Sequence, residues 1–209
     1  MSTIYGARRD TVKHSPDLET ILEHVQKIAD EVVAAHAEET DSQARWPEES
    51  IRALQKSGLG GLTVSEEFGG LGQGSYSLAQ VCEILGQECP STAMCFGMHC
   101  VGAAVLAAKA TKNQLERYLT PIVEGRHLTS LSLTEAGTGA HFYIPRTRLE
   151  VASPETYRVS GEKTFVTNGG YADSYLVSTV AADPKAPAGQ FSCIVISKDA
   201  EGIKWGEAW

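Results

Sequence analysis

Two short stretches hold the residue types that could do chemistry. Leu131-Ser-Leu-Thr-Glu-Ala-Gly-Thr-Gly-Ala140 ends an apolar, β-branched run in a turn rich in glycine and threonine. Farther along, Lys163-Thr-Phe-Val-Thr-Asn-Gly-Gly170 repeats that character. Glycines let the main chain approach a ligand closely, and consecutive N–H groups form a concave anion site. An ordinary hairpin turn has the same composition. In the second stretch a strand over Thr164–Thr167 would put Phe165 and Thr167 on one face, with Asn168-Gly169-Gly170 turning the chain. An aromatic ring beside a hydroxyl can stack on a flat heterocycle and hydrogen-bond a ring nitrogen. A half-buried strand carries such a pair as well. Together the two turns offer N–H groups, hydroxyls and one aromatic face to a flat, anionic cofactor.

The elements that must position these turns fall into two groups. Leu18, Ile21, Leu22, Val25, Ile28, Ala29, Val32 and Val33 recur at helical steps, which predicts an amphipathic helix over 17–38 capped by Asp17. A second helix is expected from Pro47 to Ser57-Gly58, where glycine can take the left-handed closing position. Leu59 to Gly74 carries six glycines and reads as a loop. Helical pattern returns at Ser77–Glu88 and, after Cys89-Pro90, at Ala93–Ala108. The latter is apolar nearly all round and is expected to be a buried central helix. Thr111-Lys-Asn-Gln114 opens a short helix that Pro121 and Gly125 end.

After Gly125 the segments are short and β-branched: Thr129–Thr134, Arg146–Ala152, Thr156–Ser160, Thr164–Thr167, Ser174–Val180 and Phe191–Ser197. The order predicts an α+β chain. An all-α domain over 1–126 would precede an antiparallel, β-barrel-like middle domain over 127–209, whose sheet ends unfinished near Trp209.

Composition narrows the function classes. The chain has 209 residues, 42% of them apolar, and a formal net charge of -8. Without a Lys/Arg cluster, a nucleic-acid partner is not expected; Arg8-Arg9 with Lys13 reads as a solvated tail. No apolar run long enough to span a membrane is read, and the N-terminus has no apolar leader segment. The five cysteines contain no CxxC pair, so buried thiols in a reducing cytoplasm are expected, with no disulfide framework or metal site.

Several phrases in this order resemble the acyl-CoA dehydrogenase family. Trp46-Pro-Glu-Glu-Ser-Ile-Arg-Ala-Leu54 and Gly58-Leu-Gly-Gly-Leu-Thr-Val-Ser-Glu-Glu-Phe-Gly-Gly-Leu-Gly72 are similar to its early helix and following turn. Ser91-Thr-Ala93 with Met98-His99 resembles its central helix. Leu133-Thr-Glu-Ala-Gly-Thr-Gly139 and Gly161-Glu-Lys-Thr-Phe-Val-Thr-Asn-Gly169, through Ala172-Asp173, resemble its two flavin-domain signatures.

The resemblance implies FAD as cofactor, an acyl-CoA thioester as substrate and hydride transfer to the flavin. Thr134 would hydrogen-bond the isoalloxazine edge, with Leu131 and Leu133 lining the ring. The Gly137–Gly139 turn would face the pyrophosphate. Phe165 would stack near the dimethylbenzene end beside Val166, and Thr167 would hydrogen-bond N5. Glu135 would be structural. Ala136 stands where the signature has proline, and Ala140-His141 where it has Ser-Asp, so one hydroxyl contact to cofactor and substrate is missing. His141 could reach a phosphate or CoA, or be an ordinary surface histidine. No catalytic base is expected within the chain, because the family's glutamate lies in a C-terminal helical domain. The resemblance further implies an electron-transfer flavoprotein as acceptor and a homodimer or homotetramer. A flavin monooxygenase of the same fold and a non-catalytic remnant paired with a full-length homologue are the alternatives.

Overall fold

The computed structural model describes residues 16–181, 185, 187 and 189–206. The basic tail at Arg8, Arg9 and Lys13, the N-terminal leader reading and Trp209 lie outside the described residues.

Helix α1, Leu18–Ile28, runs through a π-helical turn, Ala29–Val33, into α2, Ala34–Ser42. The Asp17 carboxylate accepts from the Thr20 N–H at 2.9 Å, the expected cap. Ile21, Val25, Ala29 and Val33 are buried at four-residue steps, so one stripe faces the core. Helix α3, Glu48–Lys56, buries Ile51 and Leu54 and closes at Gly58 with φ 85°. The glycine-rich stretch forms two 3-10 turns, Leu59–Gly61 and Glu66–Phe68. Its folding back is tight: a Cβ on Gly70 would sit 2.2 Å from the Val64 carbonyl oxygen.

Helices α4, Ser75–Glu88, and α5, Pro90–Lys109, pack side by side. Pro90 begins α5, where its missing N–H costs nothing. The expectation that α5 is buried all round is corrected. Phe96, His99, Cys100, Ala103 and Leu106 are buried, but Met94 is 60% exposed and Val105 also reaches the surface. By length and mean hydropathy, 20 residues at 1.5, α5 could cross a membrane. Its contacts make it a core helix instead. Gly102 lets α5 press onto the sheet, since a Cβ there would meet Thr129 Cγ2 at 3.2 Å and the Ser130 carbonyl carbon at 3.3 Å. Helix α6, Lys112–Gln114, starts with a Thr111/Gln114 capping box; a π-helical turn, Leu115–Leu119, and α7, Thr120–Val123, follow.

The strands are β1, Thr129–Ser132; β2, Arg148–Ser153; β3, Thr156–Ser160; β4, Ser174–Val180; and β5, Phe191–Ser197. The α+β class holds, with helices first and strands second. The sheet pattern differs from the expected antiparallel barrel. β1 pairs in parallel with β4, with Leu131 opposite Leu176, and β4 pairs antiparallel with β5. β2 and β3 form a separate ribbon, and among the described residues no barrel closes. A parallel pair needs a long crossover, and the β2–β3 ribbon lies within the one joining β1 to β4.

Thr164–Thr167 is not a strand. Phe165 has φ 55° and Asn168 φ 61°, values outside any strand. The chain's polar groups here go to the first turn and to β1, so no ladder forms.

Candidate functional site

The two turns are tied to each other directly. The Thr164 N–H donates to the Thr134 carbonyl at 2.9 Å, and Ser130 Oγ of β1 donates to the Thr167 carbonyl at 2.5 Å. Lys163 completes the junction, donating to Glu135 Oε1 at 2.6 Å and to the Leu133 carbonyl at 3.2 Å.

Glu135 organises the first turn. Oε2 accepts from the Arg146 N–H at 2.6 Å, and Oε1 accepts from the Thr147 N–H at 3.1 Å and the Thr147 hydroxyl at 2.7 Å. Burial alone would raise its pKa. The hydrogen bonds from Lys163, Thr147 and the Arg146 amide outweigh that and hold it at about 2. A carboxylate so ionised and so fully donated to is a poor proton acceptor near neutrality. Glu135 is a structural anchor.

The second turn is bolted to the helices through Asn168. Its Nδ2 donates to the Cys95 carbonyl of α5 at 2.9 Å, and its Oδ1 accepts from Trp46 Nε1–H at 2.9 Å. Beside it Tyr171 stacks on Trp46, centroids 4.7 Å apart and planes within 6°. Tyr175 O–H donates to the Asn168 carbonyl at 3.2 Å. Asparagine tolerates the left-handed backbone this position demands.

The other site residues are placed as follows. Leu131 is 8% exposed and packs with Ala103, Leu106 and Leu176; Leu133 lies partly buried against the same cluster. Thr134, Val166 and Thr167 are partly exposed, and Phe165 is 67% exposed. Gly137 and Gly139 take φ 80° and 49°, so the first turn does use its glycines' freedom. Among the described residues nothing accepts from the N–H groups of Gly137, Gly139 or Ala140. Ala140 and His141 are exposed, with His141 Nδ1 2.9 Å from Tyr143 Oη.

Sequence reasoning passed over three residues. Lys163 and Asn168 carry the junction's hydrogen bonds. Arg146 brings its guanidinium beside the first turn, within 3.6 Å of where a Gly137 Cβ would stand.

A groove of about 430 Å³ opens between α4 and α5, lined by Leu78, Cys82, Ala93, Met94, Gly97 and Met98 among others, with no charged residue in its wall. Met98 and Val101 line it and also pack on the cluster that holds Leu131 and Leu133.

These features can be set beside known proteins. The acyl-CoA dehydrogenase N-terminal domain matches residues 15–126, and the acyl-CoA dehydrogenase middle domain matches residues 130–209. The chain belongs to the acyl-CoA dehydrogenase family. It is 29% identical over 184 residues to the probable acyl-CoA dehydrogenase YngJ of Bacillus subtilis (strain 168), covering 88% of this chain and 48% of that protein. It is 28% identical over 180 residues to the mitochondrial isobutyryl-CoA dehydrogenase of Dictyostelium discoideum, covering 86% and 43%. A chain in a structure described as the electron transferring flavoprotein of Acidaminococcus fermentans superposes with a TM-score of 0.82 at 25% identity, over 96% of this chain and 52% of that one. The butyryl-CoA dehydrogenase of Megasphaera elsdenii shares the fold at a TM-score of 0.80 and 24% identity, over 96% and 52%. The chain spans about half the length of the curated relatives it matches.

Proposed function

We propose that this acyl-CoA dehydrogenase family chain supplies the flavin face and the acyl groove of an FAD-dependent α,β-dehydrogenation of an acyl-CoA thioester. The observation that carries the reading is the bonding of the second turn to the first turn and to β1, Thr164 to Thr134 and Ser130 to Thr167. FAD fits the donor set: two partly exposed threonines, an exposed aromatic ring and a glycine turn in which the N–H groups of Gly137, Gly139 and Ala140 have no acceptor among the described residues. The chemistry that bound FAD would supply is acceptance of hydride from the thioester's β-carbon.

Each residue has a part. Thr134 and Thr167 donate to the ring edge, with Leu131, Leu133 and Val166 behind it and Phe165 stacking at its end. The Gly137, Gly139 and Ala140 amides and Arg146 would hold the pyrophosphate. Ala140 and His141 border the CoA. The groove between α4 and α5 would take the acyl tail against its apolar lining. Glu135 stays ionised and bonded, so the base for the α-proton is proposed to lie in the half of the relatives' length that this chain does not span. The proposal also takes 126/127 as the domain boundary, an electron-transferring flavoprotein as acceptor, a homodimer or homotetramer, and the cytoplasm as compartment, which five free thiols favour.

The test is flavin fluorescence titration of the 209-residue chain, followed by anaerobic addition of butyryl-CoA. FAD fluorescence should be quenched, and Arg146→Ala should weaken uptake by about tenfold, the loss of a charge-assisted contact. The bound flavin should keep its visible absorbance, because no base is at hand. Bleaching by the thioester would contradict the assignment of Glu135. In a separate aerobic assay, oxygen uptake with added reduced FMN and none with acyl-CoA would point to a monooxygenase.

A further inference from the structure

Lys163 is buried to its ammonium: its side chain is 9% exposed and that of its partner Glu135 5%. The three ammonium protons have three acceptors, Glu135 Oε1 at 2.6 Å, Ser178 Oγ of β4 at 2.9 Å and the Leu133 carbonyl at 3.2 Å. Leu133 and Glu135 flank Thr134. One ammonium thus grips the residues before and after the threonine, while the neighbouring Thr164 N–H holds that threonine's own carbonyl. Ser178 anchors the arrangement to the central strand of the three-stranded sheet.

We propose that Lys163 is a positioning residue, a clamp that fixes the spacing between Thr134 and the Phe165–Thr167 turn and so sets the fit of a flavin edge against both. The second half of this statement rests on the cofactor reading above; the first half does not. A plain ion pair would only add stability. The clamp does more, because two of its three acceptors, a carbonyl and a hydroxyl, are neutral and lie on separate elements. An arginine cannot converge three donors in the same space.

Two variants separate the possibilities. Lys163→Met alone leaves the Glu135 carboxylate buried without its cation, so it destabilises whatever the lysine's role. Lys163→Met combined with Glu135→Gln removes both charges. If Lys163 is a clamp, the double variant melts above Lys163→Met alone, yet in FAD-free protein its Thr164 amide exchanges at least about tenfold faster than in the wild type. Its FAD affinity then stays about tenfold lower, and the visible band of bound FAD loses fine structure. Wild-type exchange at Thr164 in the double variant would overturn the clamp. Fast exchange with unchanged FAD affinity and spectrum would overturn its bearing on the flavin. Failure of the wild-type chain to take up FAD would overturn the cofactor reading instead, and the Thr164 amide would still decide the clamp.

Discussion

Lowering the pH from 6.5 to about 4 is expected to remove about 3 kcal/mol of stability through one buried side chain, His99. His99 is 1% exposed in the middle of α5. Its Nδ1 accepts from the Thr129 N–H at 3.1 Å, at the start of β1, and its Nε2 lies 3.0 Å from the Gly60 carbonyl. That pattern fits the neutral ring with its proton on Nε2, since a proton on Nδ1 would face an N–H. Burial is the main cause that lowers its pKa, to about 4, and the two backbone contacts only partly oppose it. The unfolded chain therefore takes the proton first as pH falls. Stability is whole above the ordinary histidine value and drains away between it and about 4. His127, half-buried beside Ser174, is lowered chiefly by burial and adds in the same direction. A second loss follows from Glu135, whose folded pKa lies below its ordinary 4.5: its contribution fades as pH falls from there to about 2. Melting temperature against pH checks this. His99→Gln should flatten most of the upper window although the variant is less stable throughout. An unchanged slope in that variant would remove His99 from the account.

Asn168→Ala is expected to cost about 3–7 kcal/mol. It strands the part-buried Trp46 indole N–H and the buried Cys95 carbonyl, a polar group left without a partner costing about 1–3 kcal/mol, the indole at the lower end. It also places alanine at φ 61°, a further cost of roughly 1 kcal/mol or more. Asn168→Gly separates the two causes, since glycine accepts the backbone but makes neither bond. The glycine variant should recover only the smaller share. Near-complete recovery would show that backbone strain, and no bolt between helices and turn, governs this position. Denaturant unfolding measures both. Because Asn168 adjoins Thr167, the same variants should also weaken FAD uptake.

The helical half was legible because its information is local. The step pattern of Ile21, Val25, Ala29 and Val33, the Asp17 cap and the Gly58 terminator all act within one or two turns of themselves. The first site turn was legible for the same reason, as Gly137 and Gly139 do take positive φ. The rest depends on distant partners. Parallel pairing of β1 with β4 leaves no mark in either strand, because the partner arrives only after an intervening ribbon. Thr164–Thr167 has a strand's composition, but its N–H and carbonyl groups are claimed by Thr134 and Ser130. Lys163 and Asn168 bond to residues far away in sequence, and nothing beside them announces those partners. In α5, apolar residues on nearly every side suggested burial, yet one flank faces the groove; composition does not separate a core-facing flank from a groove-facing one.

The central claim is that the two bonded turns form one face for a flavin. Backbone amide shifts of the 209-residue chain during FAD titration test it most directly. The account predicts that the perturbed amides cluster at Leu133–Thr134, Gly137–Ala140 and Phe165–Thr167. Perturbations confined to α1–α3 or to the β2–β3 ribbon, or none at saturating FAD, would contradict it.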